Sequence, residues 1–109
     1  MSELAIAAID PRSFADYIAN EALPVVVDFW APWCGTCWAQ ATHLDQFARH
    51  FSGQLQVRKL NIDEAPDLVA SLGVRGVPTL ILFMGGQHHS RLLGLHDEKQ
   101  LSAWVQSVL

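Results

Sequence analysis

The fold of this chain is decided by residues 25–37, which read Val25-Val26-Val27-Asp28-Phe29-Trp30-Ala31-Pro32-Trp33-Cys34-Gly35-Thr36-Cys37. The β-branched and aromatic run from Val25 to Trp30 predicts a strand that is apolar on both faces. Such a strand lies inside a sheet whose two faces are covered by helices. We therefore expect residues 25–30 to form the central strand of the sheet.

A helical pattern begins directly after the first cysteine. Apolar or small side chains recur at spacings of three and four residues, which places on one helix face Cys37, Ala41, Leu44, Ala48 and Phe51. Cys34 falls instead in the first turn, where unpaired backbone N–H groups and the helix dipole favour a thiolate. The pattern predicts an exposed, nucleophilic Cys34 and a shielded Cys37.

This cysteine pair predicts dithiol–disulfide exchange. Cys34 would attack a partner disulfide, and Cys37 would resolve the mixed disulfide that forms. The same spacing also occurs in inert disulfides and in zinc sites. A structural zinc site needs four ligands, whereas the chain has two cysteines and no histidine at finger spacing, so we expect no metal site. An iron–sulfur cluster shared between two copies of the chain stays open as an alternative.

Composition limits the class of protein. The chain has 109 residues, of which 50% are hydrophobic and 17% are charged, so we expect one domain over residues 1–109 rather than a disordered chain. The formal net charge of -4 argues against a nucleic-acid partner. Residues 1–10 lack the basic segment of a signal peptide, and the apolar runs are strand-length. We therefore expect a cytoplasmic protein that does not cross a membrane.

Turn and cap signals divide the remainder of the chain into short elements. The expected elements are an edge strand over Leu4–Ile9, a first helix that begins at Asp10-Pro11, a strand over Leu55–Ile62, a short helix that begins near Asp63 and stops at Gly73, a strand over Thr79–Met84, a Gly85-Gly86 hairpin into His89–Leu93, and a last helix with a capping box of Asp97 and Gln100. The order predicts a mixed sheet with a parallel early pair and an antiparallel last pair.

Three separated stretches resemble the thioredoxin family. They are Trp33-Cys34-Gly35-Thr36-Cys37, Lys59-Leu60-Asn61-Ile62-Asp63 and Val74-Arg75-Gly76-Val77-Pro78-Thr79. The resemblance implies an α/β protein with the thioredoxin fold, in which four helices flank a central mixed five-stranded sheet. It implies a monomeric protein-disulfide reductase and electron carrier that needs no cofactor beyond the Cys34–Cys37 disulfide. Its partners would be disulfide-containing client proteins and an upstream reductase that donates electrons.

The resemblance also assigns roles to individual residues. Asp28, a carboxylate inside an apolar strand, would lie beneath the disulfide with a raised pKa and exchange a proton with Cys37, and Lys59 would be its partner. The Val77–Pro78 peptide bond would be cis and would face the disulfide. The residues expected to contact a client are Trp33, Gly35, Thr36, Gly76, Val77, Pro78 and Gly94.

Three positions depart from the family pattern. Thr36 replaces a proline between the cysteines, which restores a backbone N–H near the Cys34 sulfur and should make the pair more oxidising. Trp38 stands where a basic residue is common, which removes a positive charge and acts in the opposite direction. Thr42 replaces a mid-helix proline, so we expect a straighter helix.

Two interpretations of Trp38 stay open. It could form a partner-docking patch with Trp30 and Trp33, or its side chain could lie flat along the helix.

Two other functions use the same residues. A dedicated thiol oxidase or disulfide isomerase would share the site and differ in reduction potential. A thioredoxin-fold binding module would retain the cysteines passively and would keep its partner binding when both cysteines are replaced by serine.

Overall fold

The computed structural model describes residues 6–109, which form five strands and four helices. The strands are β1 (Ala7–Ala8), β2 (Val25–Trp30), β3 (Gln56–Asn61), β4 (Thr79–Met84) and β5 (Gln87–Leu93). The helices are α1 (Phe14–Asn20), α2 (Gly35–His50), α3 (Pro66–Ser71) and α4 (Glu98–Gln106). Short 3-10 turns at Pro11–Ser13 and Ile62–Glu64 precede α1 and α3.

The five strands form one mixed sheet in the order β1-β3-β2-β4-β5. β2 is parallel to β3 and antiparallel to β4, and the last hairpin, β4–β5, is antiparallel. The predicted central position of residues 25–30 and the predicted mixed sheet are confirmed. The register places Asp28 of β2 opposite Lys59 of β3.

Helices cover both faces of this sheet, and alternate residues of β2 therefore enter two separate cores. Val25, Val27 and Phe29 pack with Phe14 and Ile18 of α1, in a cluster that also contains Val69 of α3. On the opposite face, Val26 packs with residues of the other two helices, which are Leu44 and Phe47 of α2 and Leu101 and Val105 of α4. Because residues alternate along a strand, Asp28 and Trp30 share the α2 side with Val26.

The buried face of α2 differs from the predicted one. Its buried residues are Cys37, Gln40, Leu44 and Phe47. These residues follow Cys37 at spacings of three, four and three. Ala41 is exposed, so it was assigned to the wrong face, whereas the half-buried Ala48 and the buried Phe51 belong to the core, as predicted. Gln40 therefore occupies the buried position that was predicted for Ala41, the alanine next to it in the sequence.

Most predicted boundaries hold. Gly85 and Gly86 both have positive φ in the β4–β5 turn, and Asp97 and Gln100 form the capping box of α4. β1 lies within the expected edge strand, although Leu4 and the residue after it fall outside the described residues. α2 runs from Gly35 to His50 without a break at Thr42, as the loss of the proline predicts. No helix among residues 6–109 is long and apolar enough to span a bilayer.

Candidate active site

The two cysteines lie at the N-terminus of α2, shortly after the end of β2. They form a disulfide whose Cα atoms are 5.3 Å apart. Cys34 is the N-terminal cap of α2, and Cys37 is in its first turn. Ala31 and both cysteines form a small buried cluster against which Trp30 and Val77 pack. The helix N-terminus therefore meets the sulfur of Cys34 directly, as the sequence predicted.

The predicted difference in exposure between the cysteines is wrong. Cys34 is 6% exposed and Cys37 is 5% exposed, because side chains from three segments close around the pair. The two sulfurs differ instead in their surroundings. Cys34 Sγ lies 3.7 Å from the carbonyl oxygen of Val77, a residue that lines an open groove, whereas Cys37 lies on the buried face of α2.

Two hydrogen-bond donors face the Cys34 sulfur. The backbone N–H of Cys37 donates to Sγ over 3.1 Å, and the Thr36 hydroxyl lies 3.4 Å from it. Since the sulfur of a disulfide carries no proton, the hydroxyl is the donor in this contact. The sequence predicted that threonine would act through its backbone N–H. The additional donor is the side chain of Thr36, and its N–H does not bond to this sulfur.

Asp28 is a buried carboxyl group on the same side of the sheet as α2. It is 7% exposed, and its Oδ1 has no hydrogen-bond partner among the described residues. Burial raises the pKa of Asp28 to about 7, against a smaller lowering by the positive charge of Lys59. The carboxyl group therefore changes protonation state near neutral pH, which suits it to proton transfer.

Lys59 stands beside Asp28 in the sheet register, but no ion pair of 4.0 Å or less joins these two described residues. Its ammonium nitrogen lies 5.3 Å from the ring centroid of Trp30, in a cation–π arrangement. Lys59 thus acts on Asp28 as a nearby charge rather than as a bonded partner.

The predicted client-binding residues divide into two groups. Gly76, Val77, Pro78 and Gly94 line an open groove of about 390 Å³, together with Arg75 and Leu93. The Val77–Pro78 bond is cis, as the family resemblance implied. Trp33, Gly35 and Thr36 lie on the cysteine turn and do not line this groove. The Trp33 indole is 68% exposed and donates to Asp63 Oδ2 over 3.1 Å.

Comparison with known proteins decides the family. The thioredoxin family model matches residues 5–107. The chain belongs to the thioredoxin family. It is a protein-disulfide oxidoreductase that works by dithiol–disulfide exchange, since the family match and a disulfide-bonded Cys34–Cys37 pair coincide at one site.

Several thioredoxins are similar to it over most of their length. Thioredoxin from Synechocystis sp. is 37% identical over 101 residues, which is 93% of this chain and 94% of that protein. Thioredoxin 1 from Nostoc sp. is 36% identical over 105 residues, covering 96% of this chain and 98% of its own. Thioredoxin from Alicyclobacillus acidocaldarius subsp. acidocaldarius is 44% identical over 86 residues, or 79% and 82% of the two chains.

Trp38, which departs from the usual thioredoxin pattern, turns back toward the start of the cysteine turn. Its ring packs edge-to-face on Trp30 at 5.5 Å between centroids, and its indole N–H donates to the Pro32 carbonyl over 3.0 Å. The side chain stays 59% exposed. Trp38 therefore links α2 to residues 30–32 instead of lying along its own helix.

Sequence reasoning missed two polar residues near the thioredoxin site. Asp63, which anchors the Trp33 indole, was predicted only as part of a family-like stretch and of a helix start, with no role at the site. Gln40 is fully buried three residues after Cys37, and its Oε1 accepts a hydrogen bond from the His96 backbone over 2.7 Å. The spacing of three from Cys37 was the signal that could have placed Gln40 on the buried face.

The Thr36 hydroxyl should favour the Cys34 thiolate in the reduced protein, because a hydrogen bond to a charged acceptor is stronger than one to a neutral acceptor. Thr36→Val keeps the shape and removes the donor, so we expect alkylation of Cys34 by iodoacetamide at pH 7 to slow by roughly threefold to tenfold. Thr36→Ser retains a hydroxyl and should alkylate within about twofold of the unmodified protein. Equal rates for the valine and serine variants would refute this role.

The raised pKa of Asp28 predicts how stability depends on pH. The folded protein keeps a proton on Asp28 that the unfolded chain, with the ordinary pKa of 3.8, releases as pH rises toward 7. The free energy of unfolding should therefore fall across that window and level off above it. Asp28→Asn removes this loss, so it should be more stable than the unmodified protein at pH 8 by up to about 4 kcal/mol, with little difference near pH 4.

Urea unfolding of the oxidised protein at the two pH values measures this difference. Asp67→Asn, at an exposed position of α3, is the matched control and should change stability by no more than about 0.5 kcal/mol at either pH. A stability gain for Asp28→Asn that is the same at both pH values would show that Asp28 does not titrate in this range.

Proposed function

We propose that the chain reduces disulfides in client proteins, with Cys34 as the nucleophile and Cys37 as the resolving thiol. The observation that carries this assignment is the position of the Cys34 sulfur. It caps the N-terminus of α2, accepts the Cys37 N–H, and lies 3.7 Å from the carbonyl oxygen of Val77, which lines the groove. A client disulfide bound along the groove would therefore meet Cys34 before Cys37.

In the first half of the reaction, the Cys34 thiolate attacks one sulfur of the client disulfide. The client S–S bond breaks as a Cys34–client bond forms, and the second client sulfur leaves as a thiolate that takes up a proton. The helix N-terminus, the Cys37 N–H and the Thr36 hydroxyl favour the attacking thiolate.

In the second half, Cys37 must lose its proton before it can attack the sulfur of Cys34. We assign Asp28 as the base that accepts this proton. With a pKa of about 7, a substantial fraction of Asp28 is ionised at neutral pH and can accept it. Attack by Cys37 breaks the mixed disulfide and releases the first client sulfur as a thiolate. The products are a reduced client and the Cys34–Cys37 disulfide. Lys59 supports the ionised form of Asp28 through its charge.

The groove binds an extended client segment in this proposal. Backbone groups at Val77 pair with the client chain, Gly76 and Gly94 leave room for close approach, and Pro78 lines the groove beside them. Trp33, Gly35 and Thr36 contact the client from the cysteine turn. The 68% exposed face of Trp33 supports this role, because exposed aromatic side chains anchor many interfaces.

The thioredoxin family acts on disulfide substrates and takes electrons from a reductase donor. We propose the same cycle for this chain, with an upstream reductase restoring the dithiol after each turnover. We further propose that residues 1–109 act as a single-domain monomer in the cytoplasm and need no cofactor beyond the cysteine pair. Among the described residues, no cluster of three or more histidine, cysteine or acidic side chains is placed to hold a metal.

A trapping experiment tests the assignment of the two cysteines. Cys37→Ser should accumulate a covalent complex with client proteins in cells, because the mixed disulfide forms and is not resolved. Cys34→Ser is the matched control and should trap no clients. The complexes would be captured by acid quenching, separated on non-reducing gels and released by a reductant. Equal trapping by both variants would contradict the assignment of Cys34 as the attacking group.

The role of Asp28 predicts the pH dependence of resolution. In single-turnover reduction of a disulfide-linked peptide, the resolving rate should rise with pH through about 7, as Asp28 becomes a carboxylate. Asp28→Asn should resolve at least about tenfold more slowly at pH 7, because general base catalysis is lost. Rapid acid quench between pH 5 and pH 9 measures the rates, and Asp67→Asn should follow the unmodified profile. An unaltered profile for Asp28→Asn would remove Asp28 from the mechanism.

One observation favours a second candidate, a disulfide isomerase or thiol oxidase with the same site. The Thr36 hydroxyl adds a donor to the Cys34 sulfur, and any group that favours the thiolate makes the cysteine pair more oxidising. Trp38 brings no positive charge to the site and so does not reinforce this effect. The reduction potential separates the two candidates.

A further inference from the structure

Gln40 is a polar side chain in the core whose presence packing alone does not explain. It is 0% exposed on the buried face of α2, one turn after Cys37. Its Oε1 accepts the His96 N–H over 2.7 Å, but its Nε2 has no partner among the described residues. An apolar side chain of similar size would fill the same space without burying an unpaired donor. The contribution of Gln40 therefore lies in the hydrogen bond that its Oε1 accepts from His96.

The Gln40 oxygen is bonded to the segment between β5 and α4, which contains His96. His96 Nδ1 lies 3.1 Å from the carbonyl oxygen of Gly94. A carbonyl oxygen can only accept, so Nδ1 carries the proton in this contact. Gln40 is thus bonded to the backbone of His96 and Gly94 to its side chain, so one residue between β5 and α4 joins the two.

Gly94 in turn belongs to the client groove. Its backbone N–H donates to the Pro78 carbonyl over 2.9 Å, and it lines the groove with Val77 and Pro78. Its φ of +84° is a conformation that residues with a side chain rarely adopt, so the shape of the groove here depends on holding this glycine in place. A continuous route of hydrogen bonds therefore runs from Gln40 through His96 and Gly94 to Pro78.

We propose that Gln40 is a positioning residue for client binding, which acts through His96 to hold Gly94 against Pro78 and so keeps the groove in its binding shape. This inference rests on the proposed function, because it takes the groove to be the client site. Gln40 touches neither client nor sulfur in this account. Its loss should weaken client binding and leave the chemistry at Cys34 in place.

Gln40→Met tests the proposal, since methionine is of similar length and lacks the oxygen. With a disulfide-linked peptide as substrate, we expect KM to rise about fivefold, the order of one lost hydrogen bond, while kcat stays within about twofold. Alkylation of Cys34 by iodoacetamide should keep its rate, because no donor to the sulfur is removed. Gln46→Met, on the exposed face of the same helix, is the matched control and should leave KM unchanged.

His96→Ala provides a second break in the same route at a half-buried site, so the proposal stays testable if Gln40→Met folds poorly. It removes the Nδ1 contact to Gly94 and keeps the backbone N–H that Gln40 accepts. We expect a KM increase of similar size. The double variant should raise KM by less than the product of the two single effects, because residues on one route are not independent.

The outcomes separate this inference from the function on which it rests. If the unmodified protein fails to reduce the peptide, the proposed function is wrong. If it reduces the peptide but Gln40→Met and His96→Ala leave KM unchanged, Gln40 is only a core residue and the inference is overturned. A loss of kcat together with slower Cys34 alkylation would also overturn it, because Gln40 would then act on the redox centre.

Discussion

The burial of β2 on both faces is the constraint on which the rest of the molecule depends. One face of the strand completes the core under α1 and α3, and the other completes the core under α2 and α4. A strand in this position must place its carboxyl end at the N-terminus of α2, where the cysteine turn begins. It also removes Asp28 from water, and this burial moves its pKa to about 7. The burial of β2 therefore accounts both for the position of the cysteine turn and for the raised pKa of Asp28.

The reactivity of Cys34 depends on a balance of short-range contacts. The helix N-terminus, the Cys37 N–H and the Thr36 hydroxyl favour a negative sulfur. The Val77 carbonyl, 3.7 Å away, presents a negative end to the same atom and opposes them. Lys59 lies over Trp30, and Trp38, which packs on Trp30, supplies an indole and no positive charge. The two hydrogen-bond donors that face the sulfur therefore both come from its own turn.

The sequence predicted the features that depend on short-range patterns. Val25–Trp30 is apolar at every position but one, and Asp97 with Gln100 forms a local cap, so both could be assigned without knowing the fold. Gln40 and the exposure of Cys34 depend on segments distant in the chain, which no local pattern contains. Composition also misled the helix assignment, because alanine fits a buried stripe and glutamine does not. The groove could be expected from the family resemblance, whereas the route from Gln40 to Gly94 joins segments that are distant in the chain.

The central claim, that this site reduces client disulfides, is tested most directly by the reduction potential of the Cys34–Cys37 pair. The protein would be equilibrated with redox buffers of defined potential, and the oxidised fraction would be measured after acid trapping. The account predicts a value near that of other thioredoxins, about -270 mV, so that the dithiol form donates electrons to clients. A value of about -180 mV or higher, as in disulfide isomerases, would contradict it and would show that the Thr36 hydroxyl has made the pair an oxidant.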